Sequence, residues 1–480
     1  MSGGAKLAVF AKRDCPTCRL VEPVIRTLAA GDAGFRVYSQ DDPDFPAQLG
    51  AVVVDDRELG QAFGHGIEIV PTLIRFENGI ETARTEGWDV AEWRRVSGIA
   101  DLGEGLPTLR PGCGSRSVEP GLAEHLQVRY GDPGLRSRKI EFGAYDDPGE
   151  ACYERGWSDG LPVVPPTDVR IIRMLQGTTR SPGEVVGRIP PNLAECTVEK
   201  VAINAVMAGC KPEYMPVVLA ALEAALEPEF TLHGLLATTY FSSPIIIVNG
   251  PAARRIGMNS GLNALGQGNR ANATIGRALQ LIVRNVGGGR PGEADRATLG
   301  GPGKYTFCFA EDESDPGWEP LSVARGFARG VSTVTLFQGE GVQGFVDQKS
   351  RAPEQLARSL AMGLNAIGHP KTAQVQRAIL VLSPEHYAIF AAAGWDRGRI
   401  QSEILAATVR PGSELIAGAQ GVGEGIPAAQ AGEAVPKFFE DGLMIVRAGG
   451  PAGLFSAILP GWIAGRNRFE LQPVTKEIKP

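Results

Sequence analysis

Two cysteines three positions apart, in the stretch Asp14-Cys15-Pro16-Thr17-Cys18, are the residues of this chain best suited to chemistry. They follow an apolar run at 7–11 and precede an amphipathic run, so they lie at a turn between a predicted strand and a predicted helix. Free backbone N–H groups at the first turn of a helix stabilise a thiolate and lower the pKa of a thiol placed there. We therefore predict that Cys15 is a nucleophile and that Cys18, one turn further on, attacks a mixed disulfide formed at Cys15.

A pair of cysteines with this spacing can also be half of a zinc site. A second pair would be needed to complete such a site, and the sequence has none. Histidines and the other cysteines show no metal-ligand spacing either. Redox chemistry is therefore the favoured interpretation, and the only prosthetic element predicted is a redox-active disulfide between Cys15 and Cys18.

The elements predicted around the pair alternate in type. After the strand at 7–11 come a helix at 18–30, a strand at 34–39, a short helix at 57–63, strands at 67–76 and 80–85, and a helix at 89–96. Asn78-Gly79 predicts a hairpin turn between the last two strands, because this dipeptide readily adopts positive φ angles. The predicted order is β-α-β-α-β-β-α.

This order, with CPTC after the first strand and Ile69-Val-Pro-Thr72 before the third, resembles thioredoxin-like domains over about residues 5–100. The stretch 69–79 is similar to thioredoxin, whereas 9–18 is more similar to glutaredoxin, since no tryptophan precedes Cys15. The resemblance implies that the bond before Pro71 is cis, that Pro71 packs beside the cysteine pair, and that the neighbouring backbone docks an extended substrate. The Gly-Gly-Asp element with which glutaredoxins hold glutathione is missing. The thiol reductant, a thioredoxin-reductase-like protein or a small thiol, therefore stays open.

Composition and charge exclude several classes of function. The 480 residues suggest about three domains, and 43% hydrophobic with 21% charged residues is typical of a folded globular protein. A net charge of −6 disfavours a nucleic-acid partner. No run approaches the roughly 18 apolar residues of a membrane span. Seven scattered cysteines and an N-terminus without a cleavable signal lead us to expect a cytoplasmic protein, whose oligomeric state stays open.

Residues 101–145 are rich in glycine, proline and charge, and we predict that they link a redox domain at 1–100 to a second domain at 146–480. Cys113 lies in this stretch between two glycines. Two interpretations stay open for it. It is either an exposed thiol without a role, or a redox partner or ligand at a place where a backbone without side chains can approach closely.

The second domain contains three short, continuously apolar segments, at 244–248, 378–382 and 443–446. Such segments predict strands buried on both faces, as in parallel sheets covered by helices, and hence a layered α/β domain in two related halves, 146–325 and 326–480. Functional groups in such folds gather beyond the carboxyl ends of the strands. His386 follows the second of these strands, and is either a general base or an ordinary residue at a helix start.

Two other features of the second domain are candidate sites. Cys196 precedes a strong predicted helix at 198–208, where the positive helix end would favour a thiolate, whereas Cys210 lies at the unfavourable end. A loop rich in glycine and asparagine precedes another helix and predicts an anion or carboxylate site, unless it only caps its own helix. The candidate substrate-binding residues of this loop are Asn263, Gly266, Gly268, Arg270, Asn272 and Arg277.

The stretches 159–167, 198–210 and 449–456 are similar to a poorly characterised bacterial family associated with UGSC-motif cysteine or selenocysteine proteins, over most of residues 145–475. This resemblance implies thiol or selenol redox chemistry. Our hypothesis is that the CPTC domain supplies reducing equivalents to the large domain, which acts on a small anionic substrate. Cys196 is the first candidate recipient, followed by Cys113 and Cys308. The alternatives are a redox-sensing protein that binds a metabolite without turnover, and chemistry unrelated to thiols with His386 as the base.

Overall fold

The computed structural model describes residues 6–374, 376–463 and 471–479. The protein is mixed α/β, 35% helical and 21% strand, with several mixed sheets. It folds into two compact units, Met1–Gly134 and Leu135–Pro480. Within the described ranges, no helix has both the length and the apolar character needed to cross a membrane.

Over its described residues, 6–134, the first unit contains nine strands and five α-helices. Its strands are β1 (Lys6–Ala11), β2 (Arg36–Ser39), β3 (Val53–Asp55), β4 (Ile69–Val70), β5 (Thr72–Glu77), β6 (Ile80–Glu86), β7 (Trp88–Asp89), β8 (Leu109–Arg110) and β9 (Cys113–Gly114). Its helices are α1 (Pro16–Leu20), α2 (Glu22–Gly31), α3 (Gly60–Gly64), α4 (Val90–Ser97) and α5 (Leu122–Tyr130).

Five of these strands form the central sheet, in the order β3-β2-β1-β5-β6. Strands β1, β2 and β3 are parallel, and β5 runs antiparallel to both β1 and β6. The predicted alternation of strands and helices is present, with β3 as an additional edge strand. The helix predicted at 18–30 is two helices that meet at Val21, because Pro23 lacks the N–H group that a continuous helix would need.

Much of the stretch predicted as a linker packs into the first unit. Leu102 and Leu126 are buried in its core, β8 pairs with β7, and β9 pairs with β4. The unit therefore extends to residue 134 instead of ending near 100. Only a few widely spaced apolar residues anchor the stretch 101–134 in the core. Its composition therefore resembles that of a linker.

The second unit contains twelve strands and twelve helices within the described ranges. Its strands are β10 (Val185–Ile189), β11 (Ala194–Thr197), β12 (Ser243–Asn249), β13 (Cys308–Ala310), β14 (Thr333–Gly339), β15 (Gln343–Val346), β16 (Gln376–Leu382), β17 (Arg410–Pro411), β18 (Ala434–Val435), β19 (Phe438–Arg447), β20 (Phe455–Pro460) and β21 (Val474–Glu477). Its helices are α6 (Pro148–Glu154), α7 (Asp168–Leu175), α8 (Val198–Ala208), α9 (Met215–Ala225), α10 (Leu232–Ala237), α11 (Pro251–Arg255), α12 (Arg270–Asn285), α13 (Leu321–Ala324), α14 (Pro353–Ala366), α15 (Pro384–Ala392), α16 (Arg397–Ala407) and α17 (Gly412–Leu415).

Two four-stranded sheets form the centre of this unit, in the orders β13-β12-β14-β21 and β15-β20-β16-β19. The three apolar segments are the strands β12, β16 and β19, as predicted. The sheets are mixed and not parallel throughout: β12 is parallel to β13 and β16 to β19, while the remaining pairs are antiparallel. The next sheet strand after each parallel pair runs antiparallel to the first strand of that pair: β14 lies beside β12, and β20 lies beside β16.

The two sheets face each other across one apolar layer. Ile245 and Ile247 of β12 share this layer with Ile379 and Val381 of β16. Because side chains alternate along a strand, the opposite faces of β12 and β16 pack against helices, α8, α9 and α12 on one side and α14, α15 and α16 on the other. The unit is therefore a helix–sheet–sheet–helix sandwich.

The two sheets share a topology and exchange their last strands. Strand β15 follows β14 in the chain but pairs with β20, whereas β21 follows β20 but pairs with β14. The series β12-β13-β14-β15 and β16-β19-β20-β21 therefore correspond to each other. This correspondence places the division between the two halves after β15, near residue 350, and not near 325.

Candidate redox site

The turn between β1 and α1 positions the cysteine pair. Cys15 is the N-cap of α1, and its Sγ accepts a hydrogen bond from the backbone N–H of Cys18 at 3.3 Å. Pro16 occupies the first helical position, where a missing N–H group costs nothing. The helix start thus holds the Cys15 sulfur against the first turn, as the sequence predicts.

The surroundings of Cys15 stabilise its thiolate. A hydrogen bond from the Cys18 thiol is the main cause that lowers the pKa of Cys15 to about 5; burial opposes it, and the Cys113 thiol and the N–H groups of Cys18 and Thr17 contribute in the same direction. Burial, together with the hydrogen bond and the charge of Cys15, raises the pKa of both Cys18 and Cys113. At neutral pH the site therefore contains one thiolate between two protonated thiols.

Cys113 is a second sulfur neighbour of the nucleophile. Its Sγ lies 2.9 Å from the Sγ of Cys15, and the Sγ of Cys15 also lies 3.5 Å from the carbonyl oxygen of Val70. Cys113 reaches this position because β9 pairs antiparallel with β4, which aligns Cys113 with Val70. The Val70–Pro71 peptide bond is cis, as the resemblance implied. Cys113, Val70 and Cys15 therefore meet at one point.

The segment that carries Cys113 is fixed along its length; we call residues 109–116 the strap. The hydroxyl of Thr17 donates to the carbonyl oxygen of Pro111 at 2.7 Å, and the N–H of Ser115 donates to the carbonyl oxygen of Glu68 at 2.8 Å. Gly112 permits the close approach, since a Cβ atom there would lie 2.3 Å from the Cγ2 of Ile69. The geometry favours the interpretation of Cys113 as a thiol that the backbone brings close to a partner.

Access to the three sulfur atoms differs. Cys15 and Cys18 have 0% exposure, whereas Cys113 is partly exposed. The strap that carries Cys113 lies directly against Cys15. A molecule in solvent therefore meets Cys113 before it can meet the nucleophile.

Cys196 lies in a different environment from the one predicted. It belongs to strand β11, and Thr197, not Cys196, caps helix α8 through a hydrogen bond to the N–H of Lys200. Burial raises the pKa of Cys196 to about 12. These are features of a structural thiol and do not favour a nucleophile.

The other cysteines of the second unit are also buried. Burial raises the pKa of Cys210 to about 12 and raises that of Cys308 and Cys152 as well. The Sγ of Cys210 donates to the carbonyl oxygen of Thr274 at 3.4 Å, consistent with the core position expected for it.

His386 has a partner at both ring nitrogens. Its Nδ1 lies 2.7 Å from the hydroxyl of Ser456, and its Nε2 lies 3.0 Å from the carbonyl oxygen of Asp347. The side chain is fully buried. Of the two interpretations of His386, the structure favours an internal hydrogen-bonding role over that of a base facing a substrate.

The loop before α12 satisfies its own polar groups. Arg277 forms a two-fold ion pair with Asp159, Arg270 donates to the carbonyl oxygen of Gly209, and the buried amide of Asn272 donates to Asn259 and Ala264. Further along the loop, the amide of Asn263 donates to Gln267, the N–H of Gly266 donates to the carbonyl oxygen of Asn263, and Gly268 adopts a φ of 108°. Both arginines bind partners within the protein, and the side chain of Asn269 caps α12, so the structure favours a loop that caps its own helix.

A buried polar cluster lies at the carboxyl ends of β12, β13 and β19. Glu311 accepts hydrogen bonds from the amide of Asn249 and the indole of Trp318, and Arg447 donates to Asp312. Among the described residues, the Nε and Nη1 atoms of Arg447 have no hydrogen-bond partner. Functional groups were expected at these strand ends, but Glu311 and Arg447 were not predicted. Glu311 directly follows an apolar strand, Arg447 ends one, and no motif marks either residue.

The second unit also contains a cavity of about 780 Å³ beside α7 and α8. Ile203, Met207 and Ile171 give it an apolar lining, and Lys139, which pairs with Asp168, lies at its wall. In the part of the chain that the structure describes, no group of three or more His, Cys, Asp or Glu side chains is arranged to hold a metal ion.

Comparison with known proteins gives a weak likeness to a solved structure. No protein-family model matches the chain, and no curated protein matches it. Among solved structures, it is similar to thioredoxin O2 from Arabidopsis thaliana in its oxidized state, with 24% sequence identity and a TM-score of 0.15. The match covers 20% of this chain and 72% of that chain. Because this likeness is weak and partial, the functional proposal for Cys15 rests on the geometry of the site.

Proposed function

We propose that the first unit is a thiol–disulfide oxidoreductase in which Cys15 is the nucleophile and Cys18 the resolving thiol. The observation that carries this proposal is the position of the Cys15 sulfur at the start of α1, 3.3 Å from the backbone nitrogen of Cys18 and 2.9 Å from the sulfur of Cys113. These surroundings agree with a pKa of Cys15 lowered to about 5. A thiolate is the reactive form in disulfide exchange, and neighbouring thiols are the groups that such exchange joins.

In the proposed reaction, the Cys15 thiolate attacks one sulfur of a disulfide, the S–S bond breaks, and the departing sulfur takes up a proton. A mixed disulfide at Cys15 has no negative charge, so two of the causes that raise the pKa of Cys18 disappear. Cys18 then loses its proton more readily, attacks the Cys15 sulfur and releases the second thiol. An external thiol reductant regenerates the pair.

Electron transfer to the second unit, as hypothesised from the sequence, stays a proposal with less support. Cys196 and Cys308 are buried, and burial raises the pKa of each thiol. A thiol of this kind exchanges slowly. Cys113 is the recipient that the observed distances favour.

The proposed activity is tested by the reduction of insulin disulfides by the full-length protein with dithiothreitol as reductant. Cys15→Ser is expected to abolish catalysis, and Cys18→Ser to reduce it strongly because the mixed disulfide is not resolved. Cys152→Ser, at a buried cysteine of the second unit, is the matched control and is expected to retain activity. Turnover by Cys15→Ser at the unaltered rate would overturn the proposal.

A second candidate function is the binding of a small molecule by the second unit, as in the alternative hypothesis from the sequence. The cavity of about 780 Å³, with its apolar lining and one ion pair at the wall, supports it. Native mass spectrometry of the purified full-length chain is expected to detect a bound small molecule that the cavity-filling variant Ile203→Trp lacks. Identical spectra for the two proteins would count against this candidate.

A further inference from the structure

We propose that Cys113 is a third redox thiol, which takes disulfides from solvent and passes them to the buried Cys15. This inference rests on the proposed function of Cys15 as a nucleophile. It adds a relay: external disulfides react at Cys113 first, and Cys15 reacts with Cys113.

The first argument is position. The two sulfur atoms are 2.9 Å apart, and pairing of β9 with β4 fixes the backbone of Cys113 opposite Val70, whose carbonyl oxygen also contacts the sulfur of Cys15. Cys15 therefore faces a cysteine carried by an extended chain, the arrangement in which one sulfur attacks another. Because this neighbour belongs to the same unit, it is present at every stage of a catalytic cycle.

The second argument is access. Cys15 has no exposed surface, while Cys113 is partly exposed. An external chain that approached Val70 in extended form would have to displace β9, which already occupies this edge of β4. An external disulfide can reach Cys113 without moving the strap.

The third argument is the rigidity of the strap. Hydrogen bonds hold it on both sides of Cys113, from Thr17 to Pro111 and from Ser115 to Glu68. Further along, Arg116 donates to the carbonyl oxygen of Gln40 at 2.7 Å. A segment held at three points keeps Cys113 over the nucleophile and is a poor candidate for an opening flap.

The relay consists of three exchanges. In the first, the Cys113 thiol loses its proton to solvent and attacks an external disulfide RS–SR, which releases one RS⁻ that is protonated. In the second, the Cys15 thiolate attacks the Cys113 sulfur, the bond to R breaks, and the second RS⁻ leaves and is protonated.

In the third exchange, Cys18 attacks the Cys15 sulfur, and its proton passes to the departing Cys113 sulfur. The external disulfide is thereby reduced to two thiols, and the thiolate of Cys15 and the thiol of Cys18 are oxidised to one disulfide. Electrons balance, and solvent supplies the one proton that the Cys15 thiolate does not carry. An external dithiol then reduces the Cys15–Cys18 disulfide.

The test uses glutathione disulfide as the probe and the full-length chain. In the Cys15→Ser variant, a glutathione mixed disulfide is expected to accumulate on Cys113, since the thiolate that attacks Cys113 in the relay is absent; peptide mapping by mass spectrometry locates the adduct. In the Cys113→Ser variant, the strap keeps its shape but the relay lacks its first thiol. Reduction of glutathione disulfide is then expected to be about tenfold slower than in the parent protein.

Two results separate the relay from the activity itself. If Cys113→Ser and Cys113→Ala both reduce glutathione disulfide at the parent rate, Cys15 reacts with solvent directly and the relay is overturned while the oxidoreductase remains. If Cys15→Ser also keeps the parent rate, the proposed function fails as well. Circular dichroism of each variant, matched to that of the parent, excludes loss of fold as the cause of a slow rate.

Discussion

At the scale of single residues, the thiols of Cys18 and Cys113 lower the pKa of Cys15 more than the backbone N–H groups at the helix start do. The hydrogen bond from the Cys18 thiol lowers its pKa most, and the Cys113 thiol contributes less. The same contacts keep Cys18 and Cys113 protonated. Cys15 is thus held as a reactive thiolate, whereas Cys18 and Cys113 each have to lose a proton before they can attack.

The order of these contributions predicts the effect of two substitutions. We expect Cys18→Ala to raise the pKa of Cys15 above its value of about 5 by more than Cys113→Ala does, because the stronger hydrogen bond is lost. The pH dependence of alkylation of Cys15 by iodoacetamide, followed by mass spectrometry, measures both pKa values. A Cys18→Ala variant whose Cys15 still titrates near pH 5 would contradict this order.

The lowered pKa also predicts a pH dependence of stability. The folded protein carries the Cys15 thiolate above about pH 5, whereas the unfolded chain keeps this thiol protonated up to its ordinary pKa of 9.0. The thiolate therefore stabilises the fold increasingly from pH 5 to pH 9, and this contribution is lost as the pH falls through about 5. Between pH 5 and pH 9, the free energy of unfolding of the parent, measured with urea, should rise by about 1 kcal/mol per pH unit relative to that of Cys15→Ser. A constant difference between the two proteins would contradict the assignment.

At the scale of elements, the strap decides what can reach Cys15. Two glycines on it provide a matched pair of substitutions, because a Cβ at Gly112 would overlap Ile69 whereas a Cβ at Gly114 would meet nothing within 4 Å. Neither glycine has a positive φ angle, so an alanine at either position causes no backbone strain.

We expect Gly112→Ala to lift the strap and to make Cys15 react at least about fivefold faster with a bulky maleimide, since overpacking costs about 1–3 kcal/mol. Gly114→Ala should leave this rate unchanged. Peptide mapping of the labelled protein distinguishes Cys15 from Cys113. Equal rates in the two variants would show that the strap does not cover the nucleophile.

Local patterns in the sequence predicted the elements that hold the cysteine pair, namely β1, the helix start at Pro16 and the turn at Asn78. They did not predict the pairing of β9 with β4, which joins two strands of two residues each across a long stretch of chain. Glycine and proline in that stretch indicated a linker, although Gly112 is there because the backbone passes close to Ile69. Cys196 was expected to be a thiolate at a helix start, but it lies buried in β11. Its burial depends on packing between distant segments, which local sequence patterns do not show.

At the scale of the whole molecule, the second unit depends on strands exchanged between its two sheets. Strand β21 closes the edge of β14, and the side chains of Arg325 and Glu227 contact residues within or just before it. Strand β21 is therefore part of the sandwich, although the sequence around it shows no long apolar run.

A truncation after residue 470 should consequently lower the melting temperature of the second unit, because β14 loses its edge partner. Truncation after residue 478, which keeps β21, is the control and should melt like the parent. Alkylation of Cys15 should proceed at the parent rate in both proteins, since its described contacts lie within the first unit. Calorimetry that finds equal melting temperatures would contradict the role of β21.

The central claim is that the Cys15 thiolate exchanges disulfides with its neighbour Cys113. It is tested most directly in the full-length Cys18→Ser variant, in which a disulfide formed at Cys15 cannot be resolved by Cys18. After mild oxidation, mass spectrometry of the digested protein should find a peptide pair joined through Cys15 and Cys113. A link from Cys15 to Cys196 or Cys308, or a protein with Cys15 still reduced, would contradict the account.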